Sequence, residues 1–438
     1  MEKNFSRRNW TVLILFGLIG QIAWSVENMY FNLFVYEKIE PNLSAITLMV
    51  QLSGIAATFV TLIAGTLSDK IGNRRSFISI GYIIWGLSVV LFGFITPETA
   101  MSVFGMERYD AVRLCLSAVI IGDCVMTLFG STSNDAAFSS WVTDNTESRF
   151  RGQVESVVAI LPLAAMLIVA GGFGILVSAI GYTALFLILG IIISASGVLG
   201  LFIIRDNEKL ERNGTLKDII YGFKPSVIKA NIPLYLALII TCIYGISCQI
   251  FMPYLIIYMK TYLSFTVLEY SAVFAIAIVL GAAINIYLGK LSDRISKVRS
   301  TYVAAAIFSI GLLAMFASKG MPKVATIIVF GIAAFIMICG YIYISALSGA
   351  IIRDNMPPYD VGKLQGVRMI FCVLIPMLVG PSIGNAINSA ANIPLPDAGA
   401  DAMTTLYIPS PFIFLAASVV ALLLFALIPI LDKFTNKK

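Results

Sequence analysis

Twelve stretches of about twenty or more predominantly apolar residues recur along this 438-residue chain, and no other feature limits its fold as strongly. The hydrocarbon core of a bilayer is crossed by roughly 20 apolar residues of α-helix. Inside lipid every backbone polar group must be satisfied internally, which leaves only helices and closed barrels. The stretches lie at 10–38, 43–68, 76–97, 111–142, 153–180, 183–204, 231–262, 265–291, 300–318, 323–352, 364–390 and 409–431, and they read as twelve transmembrane helices. Charged residues make up 12% of the chain, about half the roughly 25% of a soluble domain. A fully water-exposed surface cannot be built from that supply. The first apolar run begins at Trp10 and outlasts a signal-peptide core, so no cleaved leader is expected.

The net charge of +6 would suit a nucleic-acid partner, but its distribution points elsewhere. Basic residues concentrate in cytoplasmic loops of membrane proteins. If the N-terminus is inside, 24 of the 30 Lys and Arg fall on the inner side, including Arg74, Arg75, Lys209, Arg212, Lys297, Arg299, Lys437 and Lys438. The other side keeps Lys38, Arg108, Arg113, Lys260, Lys319 and Lys323. Both termini are therefore expected in the cytoplasm of a multi-pass protein of the cell membrane. The expected partners are a small-molecule solute and the lipid bilayer, with no nucleic acid, and the chain is expected to be monomeric. There is no histidine, and none of the six cysteines forms a C-x-x-C. A metal centre, a disulfide framework and an organic cofactor are thus not expected.

The chain repeats itself. Gly65-Thr-Leu-Ser-Asp69-Lys70-Ile-Gly72-Asn-Arg74-Arg75 recurs as Gly289-Lys-Leu-Ser-Asp293-Arg294-Ile-Ser296-Lys-Val-Arg299. Leu33, Tyr36 and Lys38 recur as Leu255, Tyr258 and Lys260, and Asp144-Asn145 recurs as Asp354-Asn355. The last pair is closer in sequence than the others, which fits a longer connection between spans three and four. Paired segments of this kind mark two halves related by duplication. The halves are set at 1–205 and 231–438, joined by a polar, charged linker at 206–230.

The segment from Gly65 to Arg75 resembles the signature that joins helices two and three in the major facilitator superfamily. The second copy departs from it at Ser296 and Val298. The resemblance implies two pseudo-symmetric six-helix bundles around a central cavity, with every third helix peripheral. It also implies that Asp69, Lys70, Arg74 and Arg75, with Asp293, Arg294 and Arg299, form a cytoplasmic latch. Gly65 and Gly289 would then allow close helix approach.

Ionisable groups at bilayer depth are costly and signal function. Glu27 lies in span one and Asp123 in span four, with Asp135 further along. Projected at about 100° per residue, Gln21, Trp24, Ser25, Asn28 and Asn32 fall on one stripe, with Glu27 at its edge. Asp123, Thr127, Ser131, Asn134 and Phe138 share a face of span four, and Tyr244, Ser247, Phe251, Tyr254 and Tyr258 share one of span seven. Spans three, six, nine and twelve carry no Asp, Glu, Asn or Gln in their apolar cores, whereas span eight carries Asn285 and span eleven Asn385 and Asn388. The expected solute and cation site comprises Glu27, Asp123, Trp24, Gln21, Asn28, Asn32, Thr127, Asn134, Asp135, Tyr244, Tyr254 and Asn285. For each amide the rival role is an interhelical hydrogen bond; for Trp24 and the tyrosines it is anchoring at the membrane interface.

These groups suit a polyhydroxylated solute such as a sugar, with amides bonding hydroxyls and Trp24 stacking on a ring face. A carboxyl group in a low-dielectric cavity can carry a coupling proton, or less directly coordinate Na⁺. The stretch Asn134-Asp135-Ala, with Trp141 and Asp144, resembles sugar–cation symporters of the glycoside and sucrose-transporter groups. The alternative is a drug–proton antiporter, although its Gly-x-x-x-Gly-Pro-x-x-Gly-Gly motif is missing from span five, which reads Pro162 to Gly174 without it. A membrane-embedded enzyme is the remaining class, and the loops are too short to hold a catalytic domain.

Overall fold

The computed structural model describes residues 6–146, 150–206, 221–357, 361–395 and 406–435, apart from the side chains of residues 69, 151, 152, 291, 293, 361–363 and 365. Among these residues, eleven helical stretches are long and apolar enough to cross a membrane. They are Arg7–Ile39, Leu43–Ser68, Arg74–Phe92, Arg108–Asn145, Gln153–Ile203, Ile232–Thr261, Val267–Lys290, Lys297–Ala317, Lys323–Asn355, Gly366–Ala391 and Phe412–Thr435. The 51-residue stretch Gln153–Ile203 breaks at Gly181, whose φ of 80° and ψ of 169° suit only a residue without Cβ. It covers both the fifth and the sixth span read from the sequence, so the eleven stretches among the described residues take in all twelve expected spans.

Span two ends at Gly72, whose φ of 70° turns the chain within two residues into span three. Asn73 caps span three by accepting from the Ser76 amide at 3.0 Å. The second copy of this turn uses Ser296 at φ 152° and ψ 150°, a region L-residues avoid at a cost of about 1–3 kcal/mol. Ser296 also caps span nine, accepting from the Arg299 amide at 3.2 Å. A short helix, Pro97–Phe104, occupies the connection between spans three and four; Thr96 caps it and Gly105 ends it at φ 63°. That helix is the extra length that shifts the Asp144/Asp354 repeat.

By internal contacts the chain divides into one unit of Met1–Glu40 with Ile55–Leu216, and another of Pro41–Gly54 with Lys217–Lys438. In the first unit, spans three and six press backbone to backbone. A methyl group on Gly86 would overlap the Gly190 carbonyl, and one on Gly190 would overlap that of Gly86. Phe31, Phe92 and Phe186 fill the end of this unit, Phe31 stacking on Phe92 at 4.2 Å. In the second unit the tight contact is between spans nine and ten, where Gly311 meets the Met337 backbone and Gly340 meets that of Phe308. Spans seven and eleven close around Gly384, which faces the Ile250 carbonyl. The start of span two is bonded into this second unit: Gln51 donates to the Leu378 carbonyl at 2.8 Å and to Ser382 Oγ at 2.6 Å.

The spans are not uniform α-helices. π-helical turns occupy Glu27–Phe31 and Val35–Ile39 in span one, Ser131–Phe138 in span four, Val169–Phe173 in span five and Ile370–Leu374 in span eleven. A 3₁₀ turn, Met252–Tyr254, interrupts span seven at Pro253, which has no backbone N–H to donate. Each π turn takes in extra chain and rotates the residues beyond it, so a straight projection drifts across it. Asn28 is exposed and Asn32 is buried, although the projection puts them on one stripe. π turns of this kind gather at functional sites.

Candidate functional site

Two polar clusters form inside the first unit. The first joins spans one and four: Thr127 Oγ1 donates to Glu27 Oε1 at 3.0 Å, with Glu27, Asp123 and Thr127 all buried. Asp123 lies one helical turn from Thr127, and the Cys124 thiol is near enough to feel the charge of both Asp123 and Glu27. Two carboxylates thereby lie close to one thiol, and one of them accepts from the Thr127 hydroxyl. Neither helix carries a Lys or Arg between Trp10 and Tyr36 or between Leu114 and Trp141.

The second cluster centres on Asp135, within the π turn of span four. Ser131 Oγ donates to Asp135 Oδ2 at 3.1 Å and Asn134 Nδ2 to Asp135 Oδ1 at 3.3 Å. The Trp24 indole is close enough to influence that carboxylate but lies outside hydrogen-bonding geometry. Its ring packs against Trp85, centroids 5.1 Å apart. The other end of Asn134 is occupied too. Its Oδ1 accepts from the Tyr82 hydroxyl at 3.0 Å, and the same hydroxyl reaches the Phe16 carbonyl at 2.8 Å. Asn134 therefore ties span three to span four, and Gly20 leaves room for its side chain against span one. Tyr82 escapes sequence reasoning because span three contains no acid or amide to draw attention to it.

The remaining amides of span one turn back on their own helix. Asn28 Nδ2 donates to the Trp24 carbonyl at 2.8 Å, and Asn32 Nδ2 to the Asn28 carbonyl at 2.9 Å. Asn32 Oδ1 is buried with no hydrogen-bond partner among the described residues. Gln21 is half-buried and makes no side-chain hydrogen bond among them.

The three candidates of the second unit are each engaged in interhelical hydrogen bonds. Tyr244 donates to the Tyr341 carbonyl at 3.0 Å, linking spans seven and ten. Asn285 donates to the carbonyls of Gly281, at 2.8 Å, and Cys339, at 3.2 Å, linking spans eight and ten. The Tyr254 hydroxyl meets Thr47 Oγ1 at 2.7 Å and the Pro381 carbonyl at 3.0 Å. The bonding partner Thr47 carries no sequence signal beyond being polar in an apolar run.

The repeated turn is an ion-pair centre in each unit. Arg74 Nε pairs with Asp144 Oδ2 at 3.1 Å and Arg74 Nη1 donates to Ser68 Oγ at 2.5 Å. Arg75 donates its backbone N–H to Asp206 Oδ1 at 2.9 Å and its guanidinium to the Leu201 carbonyl. The second unit repeats the plan with Lys297 to Asp354 at 2.5 Å and Arg299 to Asp432 at 3.4 Å. Asp206 and Asp432 are a repeat-spaced pair that the sequence holds and that only the fold makes legible. Burial pushes the Asp206 carboxyl up, against the opposing pull of Arg75 and Arg74. Lys70 and Arg294 are exposed. The side chains of Asp69 and Asp293 lie outside the described residues. A Cβ on Gly65 or Gly289 would find nothing within 4 Å among the described residues, so no close helix approach is seen at either. The glycine this turn needs is Gly72, for its backbone.

Known proteins share both the sequence pattern and the geometry. The family model described as Major Facilitator Superfamily matches residues 13–381 and, in a second match, 237–437. Solved structures with a similar fold include the nucleoside transporter NupG, in a mutant form, at a TM-score of 0.67 and 13% identity over 95% of this chain and 98% of that one. A bacterial homologue of the iron transporter ferroportin, outward-facing with soaked iron, gives 0.64 and 13% over 96% and 98%. A bacterial homologue of the human lysosomal transporter Spinster, inward-facing and unoccupied, gives 0.67 and 13% over 100% and 99%. No curated protein sequence matches the chain.

Proposed function

The chain belongs to the Major Facilitator Superfamily, and on that premise we propose that it moves a neutral polyhydroxylated solute, with sugars the first candidates, by alternating access coupled to protons. It is a multi-pass membrane transporter of the secondary type, not an enzyme. One observation carries the coupling: Glu27 and Asp123 share a buried site with Thr127, on two helices that bring no basic side chain to that depth. Holding two negative charges in a low-dielectric bundle costs several kcal/mol per ion, so a proton or small cation travelling with the solute relieves a large penalty. Na⁺ fits the same oxygens and is the second candidate ion. The hydroxyls and amides around Trp24 supply donors and acceptors for a sugar or for the ribose of a nucleoside, the solute class named for one structural neighbour. The motif of Arg74, Arg75 and Arg299 acts in this reading as a latch that sets the rate of the conformational cycle. In this reading the protein acts as a monomer in the cell membrane, with both termini in the cytoplasm.

The experiment is uptake of labelled sugars and nucleosides into proteoliposomes under an imposed pH gradient. Glu27→Gln and Asp123→Asn are each expected to lower accumulation by at least about tenfold, equivalent to about 1.4 kcal/mol of lost coupling, while solute exchange persists. Full accumulation in both variants removes the pair from coupling. Asp135 favours a second reading: it is a half-buried carboxylate held by two neutral donors in a unit whose spans hold no base at that depth. Such a group suits an organic cation expelled in exchange for protons. A pH gradient that lowers retention of cationic dye and drives no sugar uptake decides for export.

A further inference from the structure

Away from the acidic clusters, the second unit presents a long apolar trough to its surface. Span eight, Val267–Ile295, packs beside span ten, Lys323–Asn355. Between them lies a cavity of about 500 Å³ whose walls include Leu268, Ile276 and Leu280 on one side and Ile328 and Ile332 on the other. All five are exposed large hydrophobic side chains. From Leu268 to Leu280 the trough follows twelve residues, about 18 Å at ~1.5 Å per residue. That is close to half of a hydrocarbon core roughly 30 Å thick. Gly331 sits on its floor, where a Cβ would come no nearer than 3.8 Å to Val273, so the trough is open at mid-length for want of a side chain.

One end of the trough is charged. Lys323 Nζ and Glu269 Oε1 face each other at 3.3 Å. Glu269 is fixed there because its Oε2 accepts from the Thr266 amide at 2.7 Å while Thr266 Oγ1 accepts from the Glu269 amide, a reciprocal cap on span eight. Lys323 is 52% exposed, and an ammonium has three donors, so it has bonds to give beyond Glu269. An apolar channel one leaflet deep, closed at the membrane surface by a cation and an anion side by side, is complementary to a phospholipid with a zwitterionic, donor-bearing head.

We propose that this trough holds one acyl chain of a phosphatidylethanolamine, with its phosphate on Lys323 and its ammonium on the Glu269 carboxylate. A choline head has no N–H to give Glu269. A glycerol head can still set its phosphate on Lys323 but brings no cation to the Glu269 carboxylate. Head and tail are thus selected by different parts of one site.

The test is the full-length protein in nanodiscs made from equal parts phosphatidylethanolamine, phosphatidylcholine and phosphatidylglycerol. Lipid that remains bound after transfer to detergent is identified by mass spectrometry. Phosphatidylethanolamine is expected to be enriched over the other two. Lys323→Glu is expected to cut that enrichment by about tenfold, the loss of a charge-assisted hydrogen bond. Gly331→Phe, which plugs the trough without touching the charges, is expected to remove bound lipid of every head group. If Gly331→Phe does not fold, Lys323→Glu with Glu269→Gln carries the test. Retention of all three lipids in equal amounts, or unchanged retention of phosphatidylethanolamine in Lys323→Glu, overturns the proposal.

Discussion

The two units keep the same turn and divide the chemistry unequally. Spans one and four of the first carry Glu27, Asp123 and Asp135 at bilayer depth. Their counterparts, spans seven and ten, carry no acid between Ile232 and Thr261 or between Lys323 and Arg353. At the spacing of Leu33 and Leu255, Glu27 falls opposite the neutral Gln249, and the tyrosines of span seven use their hydroxyls to brace helices. The ion pairs differ in the same direction. Arg74 is 4% exposed and Asp144 24%, while Lys297 and Asp354 are 42% and 54% exposed. Duplication explains the shared skeleton. The difference is that the ion pair is largely buried in one copy and open to solvent in the other.

Removing the buried cation should disturb this asymmetry most. Arg74→Ala removes one donor from Asp144 and one from Ser68 and is expected to cost about 3 kcal/mol, the scale of a broken buried pair. Lys297→Ala, at the matching exposed pair, is expected to cost less than about 1 kcal/mol. Thermal melting of both in detergent checks this, and equal losses would erase the distinction. Next in size is the packing contrast. Gly190→Ala is expected to cost about 1–3 kcal/mol by overpacking spans three and six, whereas Gly65→Ala, with open space at its Cα, is expected to be nearly neutral. Measured melting points that reverse the order would show that the motif's first glycine is a contact after all. Ser296→Gly should move the second turn toward the first. It relieves a backbone strain of order 1–3 kcal/mol and forfeits a few tenths for the cap, giving a net gain of about 1 kcal/mol in the same assay.

The smallest effect concerns pH. The Asp206 carboxyl is raised from its ordinary 3.8 by burial. Between that value and its raised one the native chain holds a proton that the unfolded chain has released, so stability rises as pH falls through the window. Asp206→Asn, which can still accept from the Arg75 amide, is expected to lose that slope. A parallel pH dependence of melting in both proteins would show that the carboxyl does not titrate there.

Span number and helix type are legible in the sequence because lipid leaves few alternatives, and the repeat is legible because Gly-x-Leu-Ser-Asp stands at the same place in both halves. Glu27, Asp123 and Thr127 stand out because an acid in an apolar run has no cheap structural reason to be there. The projection works as far as the straight part of each helix extends. It fails for Asn28 and Asn32, where the π turn changes the rotation per residue, and sequence periodicity carries no sign of such a turn. Asn134 and Asn285 look like ligands in sequence and hydrogen-bond neighbouring helices in the fold, because an amide looks the same in sequence whether it faces a solute or a neighbouring carbonyl. The acid partners of the repeated arginines lie 131 to 133 positions away in sequence, Asp206 from Arg75 and Asp432 from Arg299, and pairings at that range depend on the completed fold.

The wide turn at Glu27–Phe31 has one more consequence. A helix that already accommodates surplus chain can lose one amino acid there and close up into ordinary α-helix, leaving both flanking stretches aimed as before. Deletions should therefore be tolerated better inside that turn than one helical turn to either side of it, and the coding sequence around the acidic cluster is free to shorten where a regular helix would be thrown out of phase.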